Sequence, residues 1–143
     1  LLSDDLQKVA TNVHTTRFRY VDVIKKSTGD LLQTSSEIVG ELPANWQEHL
    51  GNLLAAMLPA GSIAGAPKEK SVAVIDEAET YERGFYTGIA GVFDGKTLDS
   101  FVLIRFIERI GDRYFYKSGA GITAQSKPLN EYNEIIEKIY IPI

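Results

Sequence analysis

Three charged residues near the C-terminal end of the sequence have the spacing of one helical face. Glu131, Glu134 and Lys138 are three and four residues apart, so on a helix their side chains project from the same side. Carboxylates placed in this way can bind Mg²⁺ through oxygen, and the ammonium can receive a carboxylate ligand. A solvated helix face with an ordinary Glu134–Lys138 ion pair has the same pattern. Spacing alone favours the solvated face, and both interpretations stay open.

Two further segments could hold an anion. Small residues at Gly119, Ala120 and Gly121 leave backbone amide hydrogens accessible, although a plain glycine turn before a strand would look the same. Arg105 lies in an otherwise apolar run, residues 101–107, which is predicted to be a strand. An arginine among apolar neighbours needs a compensating anion. A ligand carboxylate could supply it, as could a structural glutamate such as Glu108 or Glu77.

The glycine-bearing loop at residues 59–68 precedes a predicted helix, and helix N-termini attract anions. The Walker pattern, however, requires Gly-Lys-Ser/Thr after four intervening residues, and here a proline precedes Lys68. Ser62 is a weak nucleophile candidate because the Gly-x-Ser-x-Gly elbow is absent and only His14 or His49 could supply a base. The sequence therefore argues against both a phosphate loop and serine chemistry.

The elements that position these residues are predicted from hydrophobic periodicity and turn residues. Ser3 or Asp4 is expected to cap a short first helix, and Asn45 a longer one. The predicted order is a helix to residue 9, strands at 15–25 and 31–42, helices at 46–57 and 67–79, strands at 85–92, 98–107 and 114–118, and a helix at 129–139, with turns at Thr28-Gly29-Asp30, Asp94-Gly95 and Gly111-Asp112. This order predicts an α+β fold, with helices packed on one side of an antiparallel sheet.

The composition of the chain argues against several classes of binding partner. A length of 143 residues suits one domain, and a net charge of −4 without basic clusters argues against nucleic acid and anionic membranes. The absence of cysteine and the presence of only two histidines mean that any metal must be held by carboxylates. No apolar stretch approaches a membrane span, so a cytoplasmic protein is expected. Because the chain opens at Leu1 without an initiator methionine, we expect a fragment whose N-terminal part is absent.

The glycine-bearing loop at residues 59–68 also contains the first of several motifs that resemble those of a known family. Gly-Ser-Ile-Ala-Gly-Ala-Pro-Lys at residues 61–68, with Ile75-Asp76-Glu77 downstream, resembles the signature of chorismate-utilising enzymes, usually Gly-Ser-Ile-Thr-Gly-Ala-Pro-Lys. The likeness continues in register with Tyr-x-Gly-x-x-Gly at residues 86–91, Leu103-Ile104-Arg105, Ser118-Gly119-Ala120-Gly121-Ile122 for Ala-Gly-Gly-Gly-Ile, and Glu131-x-x-Glu134-x-x-x-Lys138. The chain is similar to the C-terminal portion of the anthranilate synthase-like fold, and the match covers nearly all of it.

The resemblance implies one site built from the residues already singled out. Glu134 would be a Mg²⁺ ligand with Glu131 beside it. The two carboxylates of chorismate would be held by Arg105, Lys138 and the backbone around Gly119, Ala120 and Gly121, and Ala64 would lie near the substrate ring. A dianionic substrate requires such a combination of cations, amide donors and a divalent ion.

Several departures from the family pattern bear on the reaction. Gln33 stands where the family commonly has a histidine, and Ala64 stands where anthranilate and aminodeoxychorismate synthases usually have threonine, whereas isochorismate synthases often have alanine. The lysine of the Pro-Ile-Lys-Gly-Thr segment and a further metal-binding glutamate would lie upstream. The catalytic residues are therefore expected outside this chain.

The function that the resemblance implies for the parent protein is aminodeoxychorismate synthase component I, also called para-aminobenzoate synthase. It would convert chorismate, with ammonia from a glutamine amidotransferase subunit, into 4-amino-4-deoxychorismate for folate synthesis. Anthranilate synthase component I is the nearest alternative, and isochorismate or salicylate synthase follows. A hypothesis of another class is that the isolated chain is inactive and acts only as a binding or oligomerisation piece, associating through exposed core.

Overall fold

The longest strands come from the two runs of alternating and β-branched residues in the first half of the sequence. The computed structural model describes residues 1–25 and 29–139. Strand β1 spans Thr11–Ile24 and β2 spans Leu31–Glu41, paired antiparallel with Val23 opposite Leu32. Both predicted strands are confirmed, and β1 begins four residues earlier than expected. The predicted turn includes Thr28, which lies outside the described residues.

The helices of the first half begin without the predicted side-chain caps. Helix α1 spans Leu2–Leu6, so Ser3 and Asp4 lie inside it, and Asp4 instead pairs with the N-terminal ammonium at 3.0 Å. Asn45 precedes a 3-10 turn, Trp46–His49, and makes no side-chain cap bond to it. Helix α2, Leu50–Met57, continues from that turn. The prediction for Ser3 or Asp4 was wrong because the helix begins before both residues, whereas Asn45 occupies the predicted N-cap position without the side-chain bond.

The predicted loop at residues 59–68 contains a single turn of helix. Helix α3 spans Gly61–Ala64, and the amides of Ile63 and Ala64 both donate to the Ala60 carbonyl at 2.9 Å. Gly65 ends the turn with φ of 95°, a value that favours glycine. Helix α4 follows over Lys68–Ala78, close to the predicted 67–79. The sequence analysis predicted a loop here instead of α3 because glycine is a poor helix former.

The second half forms two hairpins with tight turns. Strands β3 (Ile89–Phe93) and β4 (Leu98–Val102) pair, as do β5 (Phe106–Ile110) and β6 (Arg113–Lys117). In the first turn the Asp94 carboxylate accepts the amides of Lys96 and Thr97 at 2.8 and 2.6 Å, and these bonds lower the pKa of Asp94. Gly95 and Gly111 have φ of 89° and 62°. Both predicted turns are confirmed.

The predicted strand at residues 98–107 is interrupted. The Leu103 carbonyl accepts the Thr87 amide at 2.7 Å and the Leu103 amide donates to Gly88 at 2.9 Å, which extends the ladder by one residue. The Ile104 amide then donates back to Val102 at 3.1 Å. Arg105 therefore lies in a bend between β4 and β5, and the prediction of one continuous strand over residues 98–107 was wrong at this point.

The chain divides into two compact units, Leu1–Ser71 and Val72–Ile143. The last helix, α5, spans Pro128–Glu137 with proline in its first turn, as helix starts favour. The α+β class is confirmed, and in the described part of the chain the antiparallel strands are distributed over three two-stranded sheets. Among these residues Val9, at 9% exposure, is the one large apolar residue that is buried, so little of either unit's apolar surface is enclosed.

No single helix within residues 1–25 and 29–139 is long and apolar enough to cross a membrane. One bent pair, Trp46–Ala64 with Lys68–Ala78, reaches that length and composition only when its two parts are taken together.

Candidate functional site

The end of α5 is anchored through its backbone as well as through its charges. Lys138 forms an ion pair with Glu134, and its carbonyl accepts the Tyr116 hydroxyl of β6 at 3.3 Å. The Lys138 side chain is 27% exposed, so its ammonium is held at a half-buried position. Glu131 lies one turn earlier and is half-buried. The ion pair expected from the spacing is present, and it leaves the ligand interpretation open because a ligand carboxylate could share the ammonium.

The glycine turn after β6 lies against a tyrosine ring. A side chain at Gly119 would overlap the Tyr86 hydroxyl and approach its Cζ to 3.1 Å. Burial raises the pKa of Tyr86, and the nearby charge of Arg83 opposes the rise. Gly121, in contrast, would have open space around an added Cβ, and Ala120 between them is half-buried. Tyr86 is thus a member of the candidate site, although the sequence argument had given it no role beyond its motif.

Arg105 is exposed at the bend, and no carboxylate in the described ranges pairs with it. Glu108, one of its two proposed structural partners, instead pairs with Lys117 at 3.2 Å. The charge of Arg105 acts to lower the pKa of Tyr86, which places the guanidinium in the electrostatic neighbourhood of that phenol. Among the described residues, Arg105 is therefore a cation without a protein counter-ion, close enough to Tyr86 to influence its pKa.

An ion pair between the half-buried side chains of Arg83 and Glu79 lies beside the Tyr86 ring. Arg83 donates Nε to Glu79 Oε2 at 2.7 Å and Nη2 to Glu79 Oε1 at 2.6 Å, a two-point contact. These bonds lower the pKa of Glu79 and raise the pKa of Arg83. Arg83 also donates to the Thr87 hydroxyl at 3.2 Å and lies 5.5 Å from the centre of the Tyr86 ring. Thr87 has φ of 67°, a strained value for a β-branched residue.

A second polar cluster, within the unit Leu1–Ser71, was missed by the sequence argument. Asp5 is only 3% exposed. It accepts the Gly61 amide at 2.7 Å and pairs with Lys68, which also donates to the Met57 carbonyl at 3.1 Å. Burial raises the pKa of Asp5, but the bonds from Lys68 and Gly61 outweigh it, so the net pKa is lowered. The cluster fixes α3, at whose end lies Ala64.

The carboxylates of α5 suit part of a magnesium site. Mg²⁺ prefers oxygen ligands and commonly takes one or two protein carboxylates together with water and substrate oxygens. Glu134 and Glu131 provide two such groups one turn apart. Within the part of the chain that the structure describes, no group of three or more His, Cys, Asp or Glu side chains is placed to hold a metal. The donor chemistry therefore fits the ion, with its remaining ligands coming from outside this pair.

The model of the chorismate binding enzyme family matches residues 1–143. The chain belongs to the chorismate-binding enzyme family. Members of this family include synthases that act on chorismate, so the resemblance seen in the motifs is confirmed over the full chain.

Curated relatives give a range of identities. The chain is 52% identical over 143 residues to an "Uncharacterized PabA-like protein" of Haemophilus influenzae, covering 100% of this chain and 44% of that protein. It is 35% identical over 139 residues to anthranilate synthase component 1 of Archaeoglobus fulgidus, with 97% and 33% covered. It is 36% identical over 106 residues to aminodeoxychorismate synthase component 1 of Bacillus subtilis, with 73% and 22% covered. The chain thus spans less than half of these relatives.

The predicted site residues fall into two groups. Within the unit Val72–Ile143, the charge of Arg105 influences the pKa of Tyr86, the Tyr86 ring lies against Gly119, and Tyr116 of β6 bonds the Lys138 carbonyl. Glu134 joins through its pair with Lys138. Ala64 belongs to the other unit and is described only there. The roles of these residues toward a ligand remain predictions.

Proposed function

We propose that this chain is part of aminodeoxychorismate synthase component I, with chorismate bound at Arg105, the Gly119–Gly121 turn and Lys138. The observation that supports the proposal is that Arg105, which has no carboxylate partner among the described residues, influences the pKa of Tyr86, while Tyr86 lies against Gly119 and β6 bonds the Lys138 carbonyl. Chorismate carries two carboxylates, and two separate cations with amide donors between them suit such a dianion.

Each residue of the proposed site has a physical task. The Arg105 guanidinium can donate two parallel hydrogen bonds to one carboxylate. The Lys138 ammonium, held at a half-buried position by Glu134 and by its anchored carbonyl, can receive the other. Gly119 keeps its backbone close to Tyr86, where a side chain would intrude, and its amide would donate to the ligand.

Magnesium is part of the proposal. Glu134, with Glu131 beside it, would hold the ion, and Mg²⁺ when bound supplies positive charge that offsets a substrate carboxylate. The other residues of the chain bind and orient the substrate. The group that attacks the ring, a lysine or ammonia, is proposed to come from parts of the longer protein and from a glutamine amidotransferase subunit.

A second candidate, anthranilate synthase component I, is favoured by the 35% identity to the Archaeoglobus protein over 97% of this chain. Isochorismate synthase is a third candidate, because Ala64 stands in place of threonine.

The three reactions differ in what they consume and release. Amination to 4-amino-4-deoxychorismate consumes ammonia, releases water and retains the enolpyruvyl group. Anthranilate formation consumes ammonia and releases both water and pyruvate. Isochorismate formation needs no ammonia.

The test uses the full-length protein with chorismate, Mg²⁺ and an ammonium salt. We expect ammonia-dependent loss of chorismate, a product of the mass of aminodeoxychorismate, and no pyruvate, as measured by mass spectrometry and a coupled pyruvate assay. Release of pyruvate with anthranilate would favour the second candidate, and turnover without ammonia the third. No binding or consumption of chorismate would contradict the proposal as a whole.

The site is tested separately by chorismate affinity. Arg105→Ala should weaken Mg²⁺-dependent chorismate binding of the full-length protein roughly 10- to 100-fold, because charge-assisted hydrogen bonds to a carboxylate contribute about 1.5–3 kcal/mol. Arg109→Ala is the matched control, since Arg109 is exposed, pairs at 3.6 Å with Asp112 and bonds the Gly111 carbonyl. Equal affinities for the two variants would remove Arg105 from the site.

A further inference from the structure

Thr87 has a strained backbone conformation in the segment between α4 and β3. Its φ of 67° lies in the left-handed region, which a β-branched residue adopts only where its surroundings enforce it. The Thr87 amide donates to the Leu103 carbonyl, at the end of β4, at 2.7 Å. The Thr87 hydroxyl donates to the Tyr86 carbonyl at 2.6 Å and accepts a hydrogen bond from Arg83 Nη1 at 3.2 Å. The conformation is thus held both from β4 and from Arg83.

The Arg83 side chain is itself fixed by Glu79. The guanidinium makes a two-point contact, 2.7 Å from Nε to Oε2 and 2.6 Å from Nη2 to Oε1, and Nη1 donates to the Thr87 hydroxyl. Glu79 follows α4 directly, and its amide donates to the Ile75 carbonyl at 2.9 Å. A planar guanidinium held at two points has its third nitrogen in a fixed direction. The hydrogen bond to Thr87 therefore ties this segment to the end of α4.

Tyr86 is the residue whose placement depends on these contacts. Its amide donates to the Arg83 carbonyl at 3.1 Å and its carbonyl accepts the Thr87 hydroxyl, so its backbone is held on both sides. The Arg83 guanidinium lies 5.5 Å from the centre of the Tyr86 ring, within the range of cation–π attraction. The Tyr86 hydroxyl lies against Gly119, where an added Cβ would overlap it. The half-buried ring is thus fixed at the Gly119–Gly121 turn of the proposed site.

We propose that Arg83 is a positioning residue for the proposed site, which holds the Thr87 backbone in its strained conformation and thereby keeps the Tyr86 ring against the glycine turn. The proposal rests on the proposed function and deepens it, because Arg83 acts through Tyr86 and the turn without contacting the ligand. Strained backbone conformations cluster at functional sites, where the surrounding structure maintains them. Without the bond from Arg83, the Thr87 backbone would relax and the Tyr86 ring would move away from the turn.

The first measurement needs no ligand. In the full-length protein labelled at glycine for NMR, the Gly119 amide resonance depends on the Tyr86 ring beside it, because aromatic rings shift the resonances of nearby protons. Loss of the resonance in Gly119→Ala assigns it, and Tyr86→Ala gives its position without the ring. Arg83→Gln should move the resonance toward that position.

The second measurement is chorismate affinity of the full-length protein in the presence of Mg²⁺, well below the thermal midpoint of each variant. Arg83→Gln should weaken binding about tenfold, a coupling of the size that neighbouring residues show. Arg83→Lys keeps the charge but cannot make the two-point contact with Glu79, so it should lose a similar factor. Thr87→Gly tests the route, because glycine adopts a positive φ without strain and has no hydroxyl for Arg83 to bond. In the Thr87→Gly background, Arg83→Gln should cost less than about threefold.

Arg109→Gln is the matched control. Arg109 also lies over a tyrosine ring, 5.9 Å from the centre of Tyr114, and also pairs with a carboxylate, that of Asp112, at 3.6 Å. It belongs to the same unit as Arg83 but to the β5–β6 hairpin turn. Its replacement should change neither the Gly119 resonance nor the chorismate affinity.

Three results would overturn the inference. An unmoved Gly119 resonance in Arg83→Gln would show that Arg83 does not place the Tyr86 ring. An equal loss of affinity with and without Thr87→Gly would show that Arg83 does not act through Thr87. Unchanged affinity in Arg83→Gln or Arg83→Lys, alongside weakened binding in Arg105→Ala, would leave the proposed function intact and remove Arg83 from it. Failure of the unaltered protein to bind chorismate would contradict the proposed function and, with it, the role of Arg83 in that site, whereas the Gly119 resonance would still report whether Arg83 places the ring.

Discussion

At the scale of single residues, the strongest electrostatic constraint in the chain is Asp5. It is nearly inaccessible, and its oxygens are shared between the Gly61 amide and the Lys68 ammonium. The sequence could not reveal this contact, because Asp5 and Lys68 are 63 positions apart and no local periodicity connects them. The charges of α5, in contrast, were predictable, because residues four apart on a helix meet by geometry alone.

Asp5→Asn should destabilise the full-length protein by about 3 kcal/mol at neutral pH, because it leaves the Lys68 charge without its buried partner. Asp4→Asn is the control: the Asp4 side chain is 75% exposed, so its loss should cost under about 0.5 kcal/mol. Urea unfolding monitored by circular dichroism measures both values. Equal costs would show that the cluster contributes little.

The same carboxylate predicts a pH dependence. The pKa of Asp5 is lowered below its ordinary value of 3.8, so the unfolded chain binds a proton more readily than the folded one. The stabilisation is fully present above the unfolded pKa of about 4 and is lost as pH falls through the lower folded pKa. Unfolding free energies measured from pH 6 downward should decline less steeply in Asp5→Asn. An identical slope in the two proteins would contradict the assignment.

At the scale of elements, hairpins were easier to predict than the break between them. Asp94-Gly95 and Gly111-Asp112 form their turns through local bonds and left-handed glycines, so the turn sequence alone was sufficient. The break at Leu103 could not be predicted from the sequence, because residues 101–107 are almost uniformly apolar. Its cause is the non-local pairing of Leu103 with Thr87 and Gly88. Arg105 consequently leaves the sheet and becomes accessible.

The turn after β6 provides an internally controlled test of close packing. Gly119→Ala would force a methyl group into the Tyr86 phenol, and we expect it to destabilise the full-length protein by about 1–3 kcal/mol and to weaken chorismate binding. Gly121→Ala has open space around the new methyl group and should cost less than about 0.5 kcal/mol. Denaturant titrations and chorismate binding on both variants measure the difference. Equal stabilities would mean that Tyr86 moves away without cost.

At the scale of the whole molecule, the described residues enclose little apolar surface. Val23 and Leu32 are directly paired across β1 and β2 and are 51% and 67% exposed, and Val21, two residues along, is 58% exposed. These three side chains form an apolar hairpin face. The chain spans 44% of the length of the Haemophilus relative, and the class of fold was predictable from element order even though the covering surface for this face was not.

The 143-residue chain on its own should therefore self-associate, because apolar faces of this kind drive association. Light scattering should give a mass above the 15.8 kDa of one chain. Leu32→Lys should reduce the association by placing a charge on the apolar hairpin face. Val74→Lys, at a residue of similar exposure (63%) outside the hairpin, is the control and should leave it unchanged. A monomer throughout would contradict the expectation.

The bond from the Tyr116 hydroxyl to the Lys138 carbonyl has a thermal consequence. Helix ends open locally at lower free-energy cost than the rest of a fold, and this bond is one of the contacts that oppose opening of the last turn of α5. Lys138 is then ordered during folding, before any ligand arrives. Warming that loosens the turn would transfer that ordering cost to the binding step, so chorismate affinity should weaken at temperatures where the bulk of the protein is still folded.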